Sequence, residues 1–352
     1  MVVAWARERS RGIVRRGARG EGVVMRFAYP VEEPLARGSI KSADIARLSV
    51  AFAGDGAADR EGAELLFALD EACPVRALTW TTFLTDTVAR HLIELSEPRG
   101  YLTGDKADWL IDMVCRNGWI ETRSGLDLVI EVMQRARWTP VSLVLCVLRQ
   151  VHRAVAEGAG PLRAACGSPP GIIRDAEVGL LQRALAAFAR EGSLALTREE
   201  AEILLEIADC VAGGPVNPRW QDFFAKAMTN AVLASSGYRA PPRDVALALA
   251  ELEDGVGGQV AGQALLNLSS VLSAYREQSR EEQALARLDR QRRALITAEA
   301  LTEIEPCWLS VALDRDSLLS TGDLGFLKLL GATAVRVHPD LSGLIARAGS
   351  AA

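Results

Sequence analysis

The chain has 352 residues, of which 49% are hydrophobic, 24% charged and 5% aromatic. These are the proportions of a folded globular protein and exclude a disordered or fibrous one. Forty basic against 45 acidic residues give a net charge of −5, which provides no chain-wide attraction to nucleic acid or to an anionic membrane.

The N-terminal 1–39 segment is basic at its start, with Arg7, Arg9, Arg11, Arg15, Arg16 and Arg19 against Glu8 and Glu21. It has no apolar stretch long enough for a secretory signal. It is expected to be a disordered arm, and translation from Met1 or from Met25 stays open. A basic arm touching an anionic partner is the functional alternative.

From residue 40 onward, apolar residues recur at helical spacing, as in Leu65, Leu66, Leu69, then Trp80, Phe83, Leu84, Val88, Leu92, then Leu128, Val129, Val132, Met133. No stretch of comparable length alternates with the period of a half-buried strand, so the fold class is all-α. Thr139-Pro140 and Asn217-Pro218 read as helix starts. The most apolar run, Pro140 to Leu148, is about half of what a bilayer-spanning helix needs, and Arg149 closes it, so no transmembrane segment is expected. A Gly/Pro linker spans 158–175. A charged helical insertion covers 239–296, and its segment Arg276 to Arg293 reads as a solvated spacer or a partner helix.

The chain also repeats itself. Arg60-Glu-Gly-Ala-Glu-Leu-Leu66 recurs as Arg198-Glu-Glu-Ala-Glu-Ile-Leu204, 138 residues on, each followed by an acid, Glu71 or Asp209. Trp80-x-x-Phe83-Leu84 recurs as Trp220-x-x-Phe223-Phe224. At an offset of 199, Trp109-Leu110, Asn117, Ile120, Leu128 and Pro140 match Trp308-Leu309, Asp316, Leu319, Leu327 and Pro339. With seven tryptophans in the whole chain, four in paired positions argue for duplication. The order is A1 and B1 within 40–157, A2 over 176–238, the insertion, then B2 over 297–352: an A-B-A-B tandem of helix-loop-helix modules. Their loops share a pattern of acid or amide, small residue and inward apolar residue, in Asp55-Gly56-x-Ala58, Asn117-Gly118-x-Ile120, Glu191-Gly192-x-Leu194 and Asp316-Ser317-x-Leu319. Glycine there accepts the left-handed conformation that ends a helix.

At these residues the chain resembles the TerB-like proteins of the tellurite-resistance family, whose modules carry an Asp-Gly-x-apolar loop followed by a Glu on the next helix. The arrangement is also similar to uncharacterised alphaproteobacterial proteins built of TerB-like units. The resemblance implies a cytoplasmic, stress-related helical protein, no reaction, and in some members divalent-cation binding through loop and helix acids. Carried over residue by residue, the metal ligands would be Asp55 with Glu64 and Glu191 with Glu202. Module B1 departs by having Asn117, and B2 by having Ser317 in place of glycine.

Read without the resemblance, Glu64 and Glu71 share a helical face that could hold a hard divalent cation if loop oxygens contributed. The EF-hand pattern fails, because it needs glycine sixth where Gly56 follows Asp55 directly. The plainer reading pairs Arg60 with Glu64 and Arg198 with Glu202 as i to i+4 ion pairs. His91 lies on the Trp80 stripe but is matched by Ala231, so it reads as a packed histidine; His152 and His338 read as core-edge and capping residues. Gly100 to Lys106 superficially resembles a phosphate loop, but it is one residue short between its glycines and lacks the Ser or Thr after Lys106, so it reads as a turn. Gly255-Val-Gly257-Gly258 follows an acidic helical stretch and not a strand, so a dinucleotide site has no context. Six cysteines, at 73, 115, 146, 166, 210 and 307, form no Cys-x-x-Cys and have no histidine at zinc-ligand spacing, which suits reduced structural thiols in a cytoplasmic protein. The expectation is thus a non-enzymatic protein-interaction scaffold with a protein partner, no catalytic residues and no cofactor. The alternatives are a divalent-cation sensor in the A modules and an enzyme using an inter-module groove.

Overall fold

The computed structural model describes residues 24–53, 59–164, 167–188, 196–235, 238–239, part of 276–292, 306–313, 320–333 and 338–350. Among the described residues there are thirteen α-helices and one π-helical segment. The strands are two residues long and occur as three separate pairs. The protein is all-α, as the periodicity indicates.

Helix α1 (Val24–Arg37) packs on α2 (Ser42–Phe52) and on α3 (Arg60–Ala72), burying Val31. The expected disordered arm over 1–39 thus includes this helix at 24–37. Val31 and Leu35, one helical turn apart, give residues 24–37 an apolar contact with the core that the arginine-rich composition upstream obscured. Residues 1–23, with the six arginines from Arg7 to Arg19, lie outside the described residues.

Strands β1 (Ser39–Ile40) and β2 (Val75–Arg76) pair in parallel beside α3, and α4 (Trp80–Ala89) runs on into a π-helical turn over Arg90–Leu95. Helix α5 (Gly104–Val114) is capped by the Thr103 hydroxyl, which accepts from the Lys106 amide. It ends in a hairpin of β3 (Cys115–Arg116) and β4 (Trp119–Ile120). Asn117 and Gly118 both have positive φ, 52° and 82°, which is the geometry of a tight hairpin turn. Of the four repeated loops this is the one described, and its inward residue, Ile120, is fully buried as expected. Its backbone, however, turns as a hairpin and not as a left-handed helix cap.

Helices α6 (Arg123–Arg135) and α7 (Val141–Glu157) complete the first half, and Gly158, at φ 67°, ends α7. Asp70 on α3 ties this half together. It is 6% exposed, and it accepts from the Trp80 indole at 2.7 Å and from the Ser124 hydroxyl at 2.9 Å, with the Arg76 guanidinium 3.0 Å away. One carboxylate thereby fixes α3, α4 and α6 together, and its buried charge is compensated.

In the second half, α8 (Asp175–Phe188), α9 (Arg198–Val211) and α10 (Pro218–Ser235) precede β5 (Tyr238–Arg239) and β6 (Arg276–Glu277), which pair antiparallel. Helices α11 (Pro306–Leu313), α12 (Thr321–Thr333) and α13 (Pro339–Ser350) follow. Asn217 caps α10 through its side-chain oxygen, which accepts from Arg219 and Trp220 amides, and Pro218 takes the first helical position.

Several packings occur twice. Helix α4 lies on α2 and α6, and α10 lies on α8 and α12. Helix α7 lies on α5 and α6, and α13 lies on α11 and α12. The ring pair Trp80–Phe83 has centroids 5.9 Å apart at 44°, and Trp220–Phe223 has 5.9 Å at 48°. Helix α7 differs from α13 in one respect: it also packs on α8 and α9, joining the halves. Beside that junction the Arg163 guanidinium and the Glu177 carboxylate, each side chain 2% exposed, pair at 3.1 Å. The α9–α10 turn approaches the 168–171 loop so closely that a Cβ on Gly214 would lie 2.4 Å from the Gly171 carbonyl oxygen.

Candidate functional site

Two surfaces carry the acids singled out by the repeat. On α3, Arg60 and Glu64 are one turn apart, and the Arg60 Nε donates to Glu64 Oε1 at 3.2 Å. The same oxygen accepts from the Trp109 indole of α5, also at 3.2 Å, while the Arg60 guanidinium carbon sits 5.6 Å from the Trp109 ring centre. Phe67 and His91 meet the ring edge-on at 6.0 and 5.9 Å. On α9 the Arg198 Nε donates to Glu202 Oε1 at 3.1 Å, and the Arg198 guanidinium lies 4.9 Å over the Trp308 ring of α11. In each half an arginine, a glutamate and a tryptophan thus join the helix bearing the acid to the helix bearing the ring.

This arrangement holds charge in balance. Each carboxylate already faces a guanidinium, and Glu64 Oε1 takes two donors. A divalent cation entering there would have to displace or repel the arginine. Asp55 and Glu191, the loop acids of the expected metal sets, lie outside the described residues, so only Glu64 and Glu202 can be placed. Among the described residues, no three His, Cys, Asp or Glu side chains gather in a way that could hold a metal ion. Glu71, two turns beyond Glu64, pairs with Arg116 at 2.9 Å.

The turn from Gly100 to Lys106 has a specific occupation. The Lys106 ammonium donates to the backbone carbonyls of Leu92, Ser96 and Tyr101 at 2.9 Å each and of Pro98 at 3.1 Å. A lysine in a phosphate loop must aim its charge at the ligand. Here it is directed into the chain's own backbone, and burial pulls its pKa below the ordinary value against the opposing pull of Glu97. The enclosure is made by the end of the π-helical turn and the loop after it. Its acceptors are carbonyls, which every residue type supplies, so side-chain identities do not announce it.

Of the histidines, His91 packs on Trp109. His152 Nε2 lies 3.8 Å from the Cys210 sulfur, and His338 accepts from the Asp340 amide at the start of α13. The Gly255 to Gly258 segment lies outside the described residues. The sequence also leaves unseen a contact between two thiols, Cys115 and Cys146, which are 31 positions apart and meet only through the packing of α5 and α7.

No family model matches the chain, and neither a curated protein nor a solved structure matches it significantly.

Proposed function

We propose that the protein is a non-enzymatic, TerB-like helical scaffold, built of A-B-A-B modules and working in a cytoplasmic, stress-related setting, that binds a protein partner. The observation that carries this reading is the exposure of apolar residues at matching turns. Val75 and Leu78, 67% and 100% exposed, lie in the turn before the Trp80 helix, and Val216, 66% exposed, lies in the turn before the Trp220 helix. A Pro-Val pair occurs in each turn, Pro74-Val75 six residues and Pro215-Val216 five residues before the tryptophan, counted from the proline. Apolar side chains in water favour being covered, and a partner that bridged the two turns would cover both. No described helix is long and apolar enough to cross a membrane.

The test is photo-crosslinking in the native cell, with a benzophenone amino acid at position 78 or 216 and, as control, at exposed Glu61. The reading expects one protein adduct shared by 78 and 216 and absent from 61. Adducts at neither turn, or only those that Glu61 also gives, would end it.

A further inference from the structure

The Cys115 and Cys146 sulfurs stand 3.8 Å apart. Cys115 is the first residue beyond α5 and opens the hairpin, in extended backbone at φ −93° and ψ 147°. Cys146 lies within α7. Both residues are half-buried, unlike the fully buried Cys73. An S–S bond is about 2.0 Å long, so the sulfurs need to close by roughly 1.8 Å, a distance that side-chain rotation and a small hairpin shift can supply. The hairpin itself is seated on α7, where the Arg153 guanidinium lies 4.7 Å over the Trp119 ring.

We infer that Cys115 and Cys146 form an oxidation site for small hydroperoxides, with Cys115 as the attacking thiol and Cys146 as the resolving one, and that the product is an intramolecular disulfide between the hairpin and α7. The chemistry balances with the peroxide as sole oxidant. The Cys115 thiolate attacks one peroxide oxygen; an S–O bond forms, the O–O bond breaks, and the leaving oxygen departs with a proton as water or alcohol. Cys115 is then a sulfenic acid. The Cys146 sulfur attacks the Cys115 sulfur, the S–S bond forms, the S–O bond breaks, and hydroxide leaves as water with the Cys146 proton. Two thiols lose two electrons in all, and the peroxide gains them.

The order of the two roles follows from placement: Cys115 opens the hairpin, with the Arg116 guanidinium 2.9 Å from its carbonyl oxygen, while Cys146 lies within α7. The Cys146 thiol hydrogen-bonds to Cys115 and holds it below the ordinary thiol range; burial, Asp112 and Glu121 oppose this and Arg116 assists. The same bond pushes Cys146 up, as does its burial. The other described cysteines are placed differently. Cys73 is fully buried and pushed up to about 11 by that burial. Cys210 is pushed up by burial and by its acidic neighbours Asp209 and Glu206. Cys307 is exposed. Cys166 lies outside the described residues.

The experiment treats the full-length reduced protein with hydrogen peroxide, blocks remaining thiols by alkylation, and digests with trypsin. Residues 107–116 and 138–149 are the tryptic peptides carrying Cys115 and Cys146, one cysteine in each. The expected product is these two peptides joined, lighter by two hydrogens than their sum and separated by a thiol reductant, with the pair consumed about tenfold faster than Cys307. Cys146→Ser should leave Cys115 as a sulfenic acid that dimedone traps, and Cys115→Ser should leave Cys146 alkylatable. Serine is nearly isosteric with cysteine, and circular dichroism of both variants checks that they fold. Three results would overturn the inference: Cys307 oxidised first with both paired thiols still alkylatable, a disulfide joining two chains, or dimedone labelling of Cys146 in place of Cys115.

Discussion

Replacing Lys106 by methionine keeps the length and apolar stem of the side chain and removes only its charged head. The ammonium has three protons for four carbonyl acceptors at 2.9 to 3.1 Å. Hydrogen bonds involving a charged group contribute about 1.5–3 kcal/mol each, so the gross loss is several kcal/mol. Two effects reduce it. The ammonium is itself partly desolvated, which its lowered pKa registers, and some carbonyls regain water because the site is only half-buried. The net destabilisation expected is about 2–4 kcal/mol. Urea unfolding followed by circular dichroism measures it as a lower midpoint at an unchanged slope. Lys106→Arg should not rescue, since a planar guanidinium cannot direct its donors to four converging oxygens. A loss below about 0.5 kcal/mol in Lys106→Met, the range of ordinary surface substitutions, would show that the loop does not depend on the ammonium.

Other outcomes follow from charged groups elsewhere. Glu177→Ala leaves the Arg163 cation buried without its carboxylate and should cost about 3–5 kcal/mol by the same unfolding assay; a loss under about 1 kcal/mol would mean that water reaches the guanidinium. Burial pushes the Asp44 carboxyl up, but the Lys41 amide, Arg47 and Arg37 outweigh it and hold the pKa below the ordinary 3.8. Its stabilising effect is therefore complete above that value and lost as pH falls through the lower folded value. The stability gap between the wild type and Asp44→Asn should be constant near neutrality and narrow in acid; a gap that widens in acid contradicts the sign. Glu64→Gln and Glu202→Gln should lower the melting temperature only slightly, since Arg60, Arg198 and Glu202 reach water and a glutamine oxygen in place of the half-buried Glu64 carboxylate can still accept from the Trp109 indole. Calcium, manganese or magnesium should give no rise beyond matched ionic strength, whereas a saturable rise abolished by these variants would establish cation sites.

The helical class was legible because Trp80, Leu84 and Val88 and the matching positions of the second half carry a period that only a helix satisfies. The Arg60–Glu64 and Arg198–Glu202 pairs could be read from spacing, since residues four apart on a helix are neighbours by construction. Their tryptophans could not, because Trp109 and Trp308 come from other helices and only packing decides which ring a guanidinium meets. Asn117-Gly118 did carry a strong hairpin signal, but the surrounding helical pattern favoured a helix-ending loop. The π-helical turn after Ala89 left no trace in the residue pattern, because a shift from i+4 to i+5 bonding answers to tertiary contacts. Val31 is a case of another kind: it is buried in a helix whose flanking composition suggested none.

Helix α7 is the last helix of the first half and yet lies against α8 and α9 of the second. A helix with partners on both sides cannot leave one side without uncovering the other, so the halves share a boundary that neither can give up alone. Thermodynamically they are one unit, and unfolding should be a single transition despite the internal repetition. Cutting the chain in the 158–175 linker would expose the apolar residues of α7 that face the second half, so a first half made alone would meet water along a surface shaped for another helix pair.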